Sequence, residues 1–533
     1  MVRKKYIRRK IEKKYSSEEW SSDVIAELKA AMTYYQDKKF KYIRVGITSD
    51  LKQSYDTHRL EDSICWSKMV VKFKTDNYMD IQRIISDITA LDEWAGDKVY
   101  FPATIFDEQT SYFVYILVGR RLKSKLQLNR KTYTFIDLFA GCGGLSEGFY
   151  KQGFKALAHV EMDRICCETL KSRMAYYKYK DIEKAVIEQD ITSEDILELI
   201  EEATDGVKPD IIIGGPSCQA YTQLGRVRNK EGVESDPRNF LFESYVRILE
   251  KLEPKFFVFE HVTGLLTAKV NNKPILPMVL DALGNKYKII RDPQMLLLNS
   301  VNYGVPQLRK SLIIMGVHKS IEVKEAKDLY DSVIQTHYNP EMSLAERGSL
   351  KRWVSVADAL YDLPPVLPGE DASCPKFEYP CTNAFLKWVG KPGKYPLYDH
   401  ISRNHNAKDR ERFKAMIENH WTFGTMRMNR PDLEHEHARV FGNSYVVQWE
   451  DLPSKTIIAH LAKDGFQFIH PDVNQLRTFT VREAARIQSF PDDFQFAGSR
   501  SDKYKQIGNA VPPLFAEALA KAIRKNLEDL EVE

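Results

Sequence analysis

From residue 132 the chain alternates short apolar runs with helix-spaced stretches, and this rhythm constrains the fold more than any other feature. TFIDLF, ALAHVEMD, AVIEQDI, DIIIGGP, KFFVFEHV and KSLIIMGV read as buried strands, with helical segments between most of them. Strand alternating with helix predicts an α/β domain with a parallel, doubly wound sheet, whose ligands sit beyond the carboxyl ends of the strands. The expected domain covers residues 131–318. Residues 319–475 lose the rhythm, are rich in Pro, Asn, His and Trp, and include irregular stretches such as DLPPVLPGEDASCPKFEYP. They predict a smaller, loop-rich domain. Residues 476–533, with turn chemistry and then an amphipathic helix, are expected to return to the first domain.

Residues 1–130 read as a separate small α/β unit. A helix-spaced stretch, SSDVIAELKAAMTYYQDK, precedes strand-like KYIRVGIT, KMVVKF and SYFVYILVG, and none carries a chemical motif. The unit opens with MVRKKYIRRKIEKK, eight Lys or Arg against one Glu. Such a block suits an arm that touches nucleic acid. The whole-chain charge of +4 points to no particular partner. No apolar run reaches the roughly 18 residues of a membrane span, and the basic start lacks the apolar segment of a secretory signal. Seven cysteines without a CxxC pair, and twelve histidines without ligand spacing, predict no disulfide framework and no metal. A cytoplasmic location follows as an expectation.

Two sets of residues carry chemistry. Phe139-x-Gly141-x-Gly143-Gly144 follows a strand and opens a helix, where glycine lets the backbone approach a ligand. Glu161 ends the second strand, placed to accept ribose hydroxyls, and Asp190 ends the third, placed to accept from an adenine amino group. Together they predict an adenosine site and leave a dinucleotide and S-adenosyl-L-methionine both open. In the second set, Gly214-Gly215-Pro216-Ser217-Cys218-Gln219 exposes a thiol at a strand's carboxyl end, Glu260 ends the next strand, and Arg309 precedes KSLIIMG. A nucleophile, a carboxyl group and a cation are what methylation at cytosine C5 demands. C5 is a poor nucleophile until a thiolate adds at C6, and that addition needs relief of charge at N3, N4 and O2.

At this point the residues resemble the DNA cytosine-5 methyltransferase family of bacterial restriction–modification systems. FIDLFAGCGGLSEGF, GGPSCQAYTQLGR, VFEHV, YGVPQLRKSLIIMG, RTFTVREAARIQSFPDDF and QIGNAVPP match its motifs in order over about residues 132–525. The resemblance implies a Rossmann-like, S-adenosylmethionine-dependent domain with a target-recognition domain, and double-stranded DNA in the cleft between them. It assigns Cys218 as the nucleophile, Glu260 as the partner of cytosine N3 and Arg309 as the accompanying cation. Asp137, Phe139, Gly141, Gly143, Gly144, Glu161, Asp190, Pro216, Asn509 and Val511 fall to the cofactor. Met162 and Ile191 would pack on adenine, and Leu241 would lie near the methionine end. Gln219 and Thr222 belong to the loop that closes on a flipped cytosine.

The variable region between Gly316 and about residue 440 would read the DNA sequence, with Arg403, Asn404 and Arg427 among its candidates. Arg482, Glu483 and Arg486 are expected to form a structural ion-pair network. Three departures stand out. Ser217 replaces the usual second proline, His261 the usual asparagine, and Ser311 the second arginine of Gln-x-Arg-x-Arg. That arginine contacts cytosine O2 in the family, so Arg309 or Lys310 would have to substitute. The implied enzyme acts as a monomer on DNA, with a possible cognate endonuclease that shares its site without touching it. The alternatives are tRNA cytosine-5 methylation, a DNA-binding autorepressor with weakened catalysis, and, more distantly, a nicotinamide oxidoreductase. The length of the variable region, roughly 120 residues, favours DNA over tRNA.

Overall fold

The computed structural model describes residues 7–9, 20–37, 42–49, 64–89, 99–100, 111–121, 131–216, 240–270, 272–434 and 445–531. They divide into two units: Met1–Lys131 with Glu341–Lys351, and Thr132–Pro340 with Arg352–Glu533.

The N-terminal unit is a five-stranded mixed sheet. Its strands are β1 (Ile7–Arg9), β2 (Tyr42–Thr48), β3 (Ile64–Thr75), β4 (Val99–Tyr100) and β5 (Tyr112–Arg121), in the order β1-β3-β5-β2-β4. Two helices, α1 (Trp20–Asp37) and α2 (Tyr78–Thr89), accompany it. Val24, Leu28, Ile81 and Ile84 from the helices pack against Val45, Ile47, Val114, Ile116 and Val118 of the sheet. In β5, residues 114, 116 and 118 belong to this core while 115 and 117 belong to a second cluster, as strand alternation requires.

The second unit is built on an eight-stranded sheet. In chain order its elements are β6 (Thr134–Leu138), α3 (Gly144–Lys151), β7 (Lys155–Glu161), α4 (Arg164–Tyr176), β8 (Val186–Glu188), α5 (Ile196–Thr204), β9 (Ile211–Gly214), α6 (Leu241–Leu252) and β10 (Phe256–Val262). They continue with α7 (Ile275–Gly284), β11 (Tyr287–Ile289), β12 (Leu297–Asn299) and β13 (Lys310–His318). The order is β11-β13-β10-β9-β6-β7-β8, with β12 also on β13. Strands β10, β9, β6, β7 and β8 run parallel, and β13 returns antiparallel. The continuous apolar runs reflect cover on both faces. Ile136, Leu138, Ile212, Phe257 and Phe259 face one core. Phe135, Ile211, Ile213, Phe256 and Val258 face the other, which includes Phe515, Leu519 and Ile523 from the C-terminal helix.

Residues 319–475, expected as a smaller, loop-rich domain, contribute to two clusters of buried side chains. Val354, Leu360, Phe385 and Leu397 share a core with Phe479, Ile487, Phe490 and Ile507. The boundary expected at 475/476 therefore falls inside a common core. Phe413, Met416, Phe423, Met426, Tyr445, Val447 and Ile469 form a separate cluster. The joint is polar as well as apolar. In α8 (Val481–Ile487), Glu483 caps the helix through Thr480 and receives both Arg477 Nη atoms at 2.6 Å. Arg482 donates to the carbonyls of Tyr398, Pro491 and Phe494 at 3.0–3.2 Å. Arg486 pairs with Asp492 and Asp362. Glu483 and Arg486 form the expected ion pairs, while Arg482 holds backbone carbonyls instead.

The chain closes with α9 (Arg500–Asn509) and α10 (Pro513–Leu530). α10 lies against α3 so closely that a Cβ on Gly148 would stand 2.3 Å from the Glu517 nitrogen.

Candidate active site

The turn after β6 adopts a run of left-handed conformations, with φ of 58° at Phe139, 54° at Gly141 and 87° at Gly143. Glu161, at the end of β7, holds this turn: its carboxylate accepts from the Gly141 and Asp163 nitrogens, each at 2.8 Å. Burial pushes the Glu161 carboxyl up, and the two amides oppose that shift. A Cβ on Gly141 would meet nothing within 4 Å, so the turn borders open space. Met162 is 68% exposed beside it. Ile191 is buried, and Asp190 uses Oδ1 to accept from the Thr192 amide and hydroxyl at 2.9 and 2.7 Å.

The 509–511 segment joins this cradle from the far end of the sequence. Gly144 lies so near Val511 that a Cβ would come 2.5 Å from the valine carbonyl, and Asn509 is exposed. Leu241, half-buried, starts α6. Asp137 departs from the expected contact role. It is 1% exposed beneath the turn and accepts from Ser146 Oγ at 2.5 Å. Ser146 in turn meets His159 Nε2 at 3.1 Å, and His159 meets the Tyr150 hydroxyl at 3.0 Å. A buried carboxyl so enclosed supports the turn from below.

The second set of residues gathers at the ends of β9, β10 and β13. A Cβ on Gly214 would stand 1.9 Å from the Leu138 carbonyl, and one on Gly215 1.8 Å from the Glu260 carbonyl. Only glycine permits that approach, which brings the buried Pro216 beside β10. Cys218, Gln219 and Thr222 follow and lie outside the described residues. Glu260 carries a buried Oε1 with no hydrogen-bond partner. Burial pushes its carboxyl up, while the Arg309 guanidinium and the Ser311 hydroxyl draw it down. Arg309 is buried and only loosely held, at 3.4 and 3.5 Å from the Ile457 and Gly508 carbonyls. Lys310, exposed on the opposite face of the strand, does not share that side with Glu260.

The candidate DNA-reading residues separate. Arg403 is buried, donates to the Leu461 carbonyl at 2.5 Å and lies 4.4 Å from the Tyr504 ring. Burial and these contacts give it a structural place instead of a surface one. Asn404 is exposed. Arg427 pairs with Glu434. Sequence reasoning missed a cavity of about 350 Å³ lined by Leu308, Lys455, Thr456 and Gln467 among others. Parallel pairing of Gln307 and Leu308 with Ser454 and Lys455 builds its wall from segments distant in the chain, and no local pattern signals that.

The model of the C-5 cytosine-specific DNA methylase family matches residues 133–525. Type II methyltransferase M.Bpa9945I of Bacillus paralicheniformis is 32% identical over 73% of this chain and 98% of its own length. M.DdeI of Desulfomicrobium norvegicum is 32% identical over 74% of this chain and 90% of its own. M.Sau96I of Staphylococcus aureus is 26% identical over 91% of this chain. Because residues 1–131 make up about a quarter of the sequence, that match must extend into the N-terminal unit. A protein described as a DNA modification methyltransferase from an E. coli prophage shares the fold, with a TM-score of 0.54 at 24% identity over 75% of this chain and 100% of that one. With its Rossmann-like sheet, its glycine turn and its Glu260–Arg309 edge, the chain belongs to the C-5 cytosine-specific DNA methylases.

Proposed function

We propose that the protein methylates C5 of cytosine within a specific double-stranded DNA sequence, as the modification arm of a restriction–modification system. The observation that carries this reading is the meeting of Glu260, Arg309 and the Gly214–Pro216 turn at one sheet edge, just before Cys218. The type II methyltransferases among its relatives support the biological role. The cradle fits S-adenosyl-L-methionine. Gly141 borders open space, Met162 offers an exposed apolar surface, and Asp190 and Asn509 present polar groups at its rim. When bound, that cofactor supplies the methyl group.

The chain's own residues do the rest. A target carbon inside the duplex stack requires extrusion of the base, at a cost of a few kcal/mol. The Cys218 thiolate adds to C6, and Glu260, protonated, donates to N3 as electron density moves onto the ring. Arg309 offers a second donor to the developing charge. C5 thereby becomes nucleophilic and takes the methyl group. Water then takes the C5 proton as the C6–S bond breaks, and N3 returns its proton to Glu260, which restores the aromatic ring, the thiolate and the carboxyl group. Residues 319–475 supply sequence readout, and the basic arm adds phosphate contacts. The enzyme works as a monomer, in the cytoplasm, with any partner endonuclease acting separately on the same site.

A fluorine at C5 cannot leave as a proton. A pool of duplexes with random sequence and 5-fluorocytosine should therefore trap a denaturation-resistant adduct with the wild-type protein and cofactor. Cys218→Ala should give none. An adduct that persists in Cys218→Ala would overturn the assignment of the nucleophile.

A further inference from the structure

The cavity of about 350 Å³ is lined by Leu308, Val446, Lys455, Thr456, Gln467 and Phe468, and two of its walls run on into the candidate active site. Leu308 immediately precedes Arg309, and Thr456 immediately precedes Ile457, whose carbonyl accepts from Arg309 at 3.4 Å. Thr456 Oγ1 donates to the Leu308 carbonyl at 2.6 Å, which ties these walls together. Gln448 fixes the remainder. Its Oε1 accepts from Ser454 Oγ at 3.0 Å and from the Lys455 nitrogen at 2.9 Å, and its Nε2 donates to the Gln467 carbonyl at 2.7 Å. The backbone around the cavity is held, while two polar side chains stay uncommitted. Among the described residues, neither the Gln467 amide group nor the Lys455 ammonium has a hydrogen-bond or ion-pair partner. Lys455 is exposed, and it is the one charged group among the described residues that line the cavity.

We infer that this cavity receives the base next to the target cytosine, with Gln467 reading the edge of that base and Lys455 meeting its phosphate. This rests on the proposed methylation of DNA, and it extends sequence readout to residues 446–468, beyond the variable region. A nucleobase has apolar faces and a polar edge. Leu308, Val446 and Phe468 suit the faces, and a free amide offers the paired donor and acceptor that adenine's edge matches. A cation with no carboxylate beside it suits a phosphate. Position points to the neighbouring nucleotide. Consecutive Cα atoms lie about 3.8 Å apart, close to the step of about 3.4 Å along one DNA strand. Leu308 and Thr456 each stand one such step from the contact between Arg309 and Ile457. Thr456, whose hydroxyl is already engaged by Leu308, remains framework.

The test is methylation in vitro of a pool of random-sequence duplexes, read by bisulfite sequencing. Wild type should require a particular base at one of the two positions flanking the methylated cytosine. Gln467→Ala should reduce discrimination at that position about tenfold, the scale of a lost bidentate base contact, and leave other positions unchanged. Gln467→Glu keeps the side chain's length but offers only acceptors, so it should alter the preferred base at the same position. It decides the matter if the alanine variant does not fold. Lys455→Ala should slow methylation of all sequences alike and flatten its dependence on salt. A wild type indifferent to the flanking bases would overturn the inference. So would unchanged preference in both Gln467 variants, an equal loss across all sequences in both, or a Lys455→Ala variant with wild-type rate and salt dependence. Wild-type protein that methylates none of the pool would instead remove the reading of DNA methylation on which the inference rests.

Discussion

At the scale of single residues, Asp137 shows how a site residue's work is decided by burial. Its place in the glycine motif implied contact with the cofactor, yet it is enclosed beneath the turn with Ser146 as its hydrogen-bond partner. Burial is the largest influence on its carboxyl and raises the pKa to about 7, against which the Ser146 hydroxyl pulls down. The sign follows directly. A folded pKa above the unfolded value of about 3.9 gives a contribution fully present below that pH and lost as pH rises toward 7. Asp137→Asn keeps an acceptor for Ser146 and cannot ionise. Denaturant titrations between pH 4 and 8 should show wild type losing stability with rising pH more steeply than the variant. Equal slopes would show that Asp137 does not titrate in this window. The identity of Asp137 was legible in the motif. Its burial was not, because that depends on α3 folding back over β6.

At the scale of elements, the strands of the second unit were legible because a sheet covered on both faces needs uninterrupted apolar runs. The two-sided division of Phe135 and Ile136, or Ile211 and Ile212, between separate cores bears this out. The loop-rich segment was less legible. Val354, Leu360 and Phe385 find partners in Phe479 and Phe490, more than 90 residues away, and no periodicity reports such a pairing. Close crossings of elements were equally hidden. Gly148 reads as an ordinary helical glycine, but it is the point where α10 lies on α3. A methyl group there meets backbone, which has no rotamer to yield. Gly148→Ala should cost about 1–3 kcal/mol of unfolding free energy as an overpacked contact, measured by chemical denaturation. A neutral or stabilising effect, as expected for alanine at an open helical position, would contradict the close packing.

At the scale of the whole molecule, the family was legible from motif order alone, since the matching model covers residues 133–525 and the motifs had marked 132–525. The relation of Glu341–Lys351 to the N-terminal unit was not, because it depends on contacts between distant stretches of chain. The same holds for Arg403, whose basic character in a variable region suggested a reader of bases and whose burial makes it part of the scaffold. What the whole chain does to DNA is measured most directly by bisulfite sequencing of DNA from cells that express it in a host lacking cytosine methylation. The account predicts protected cytosines confined to one short recognition sequence, and their disappearance in Cys218→Ala. Expression at good levels without any protected cytosine would contradict it.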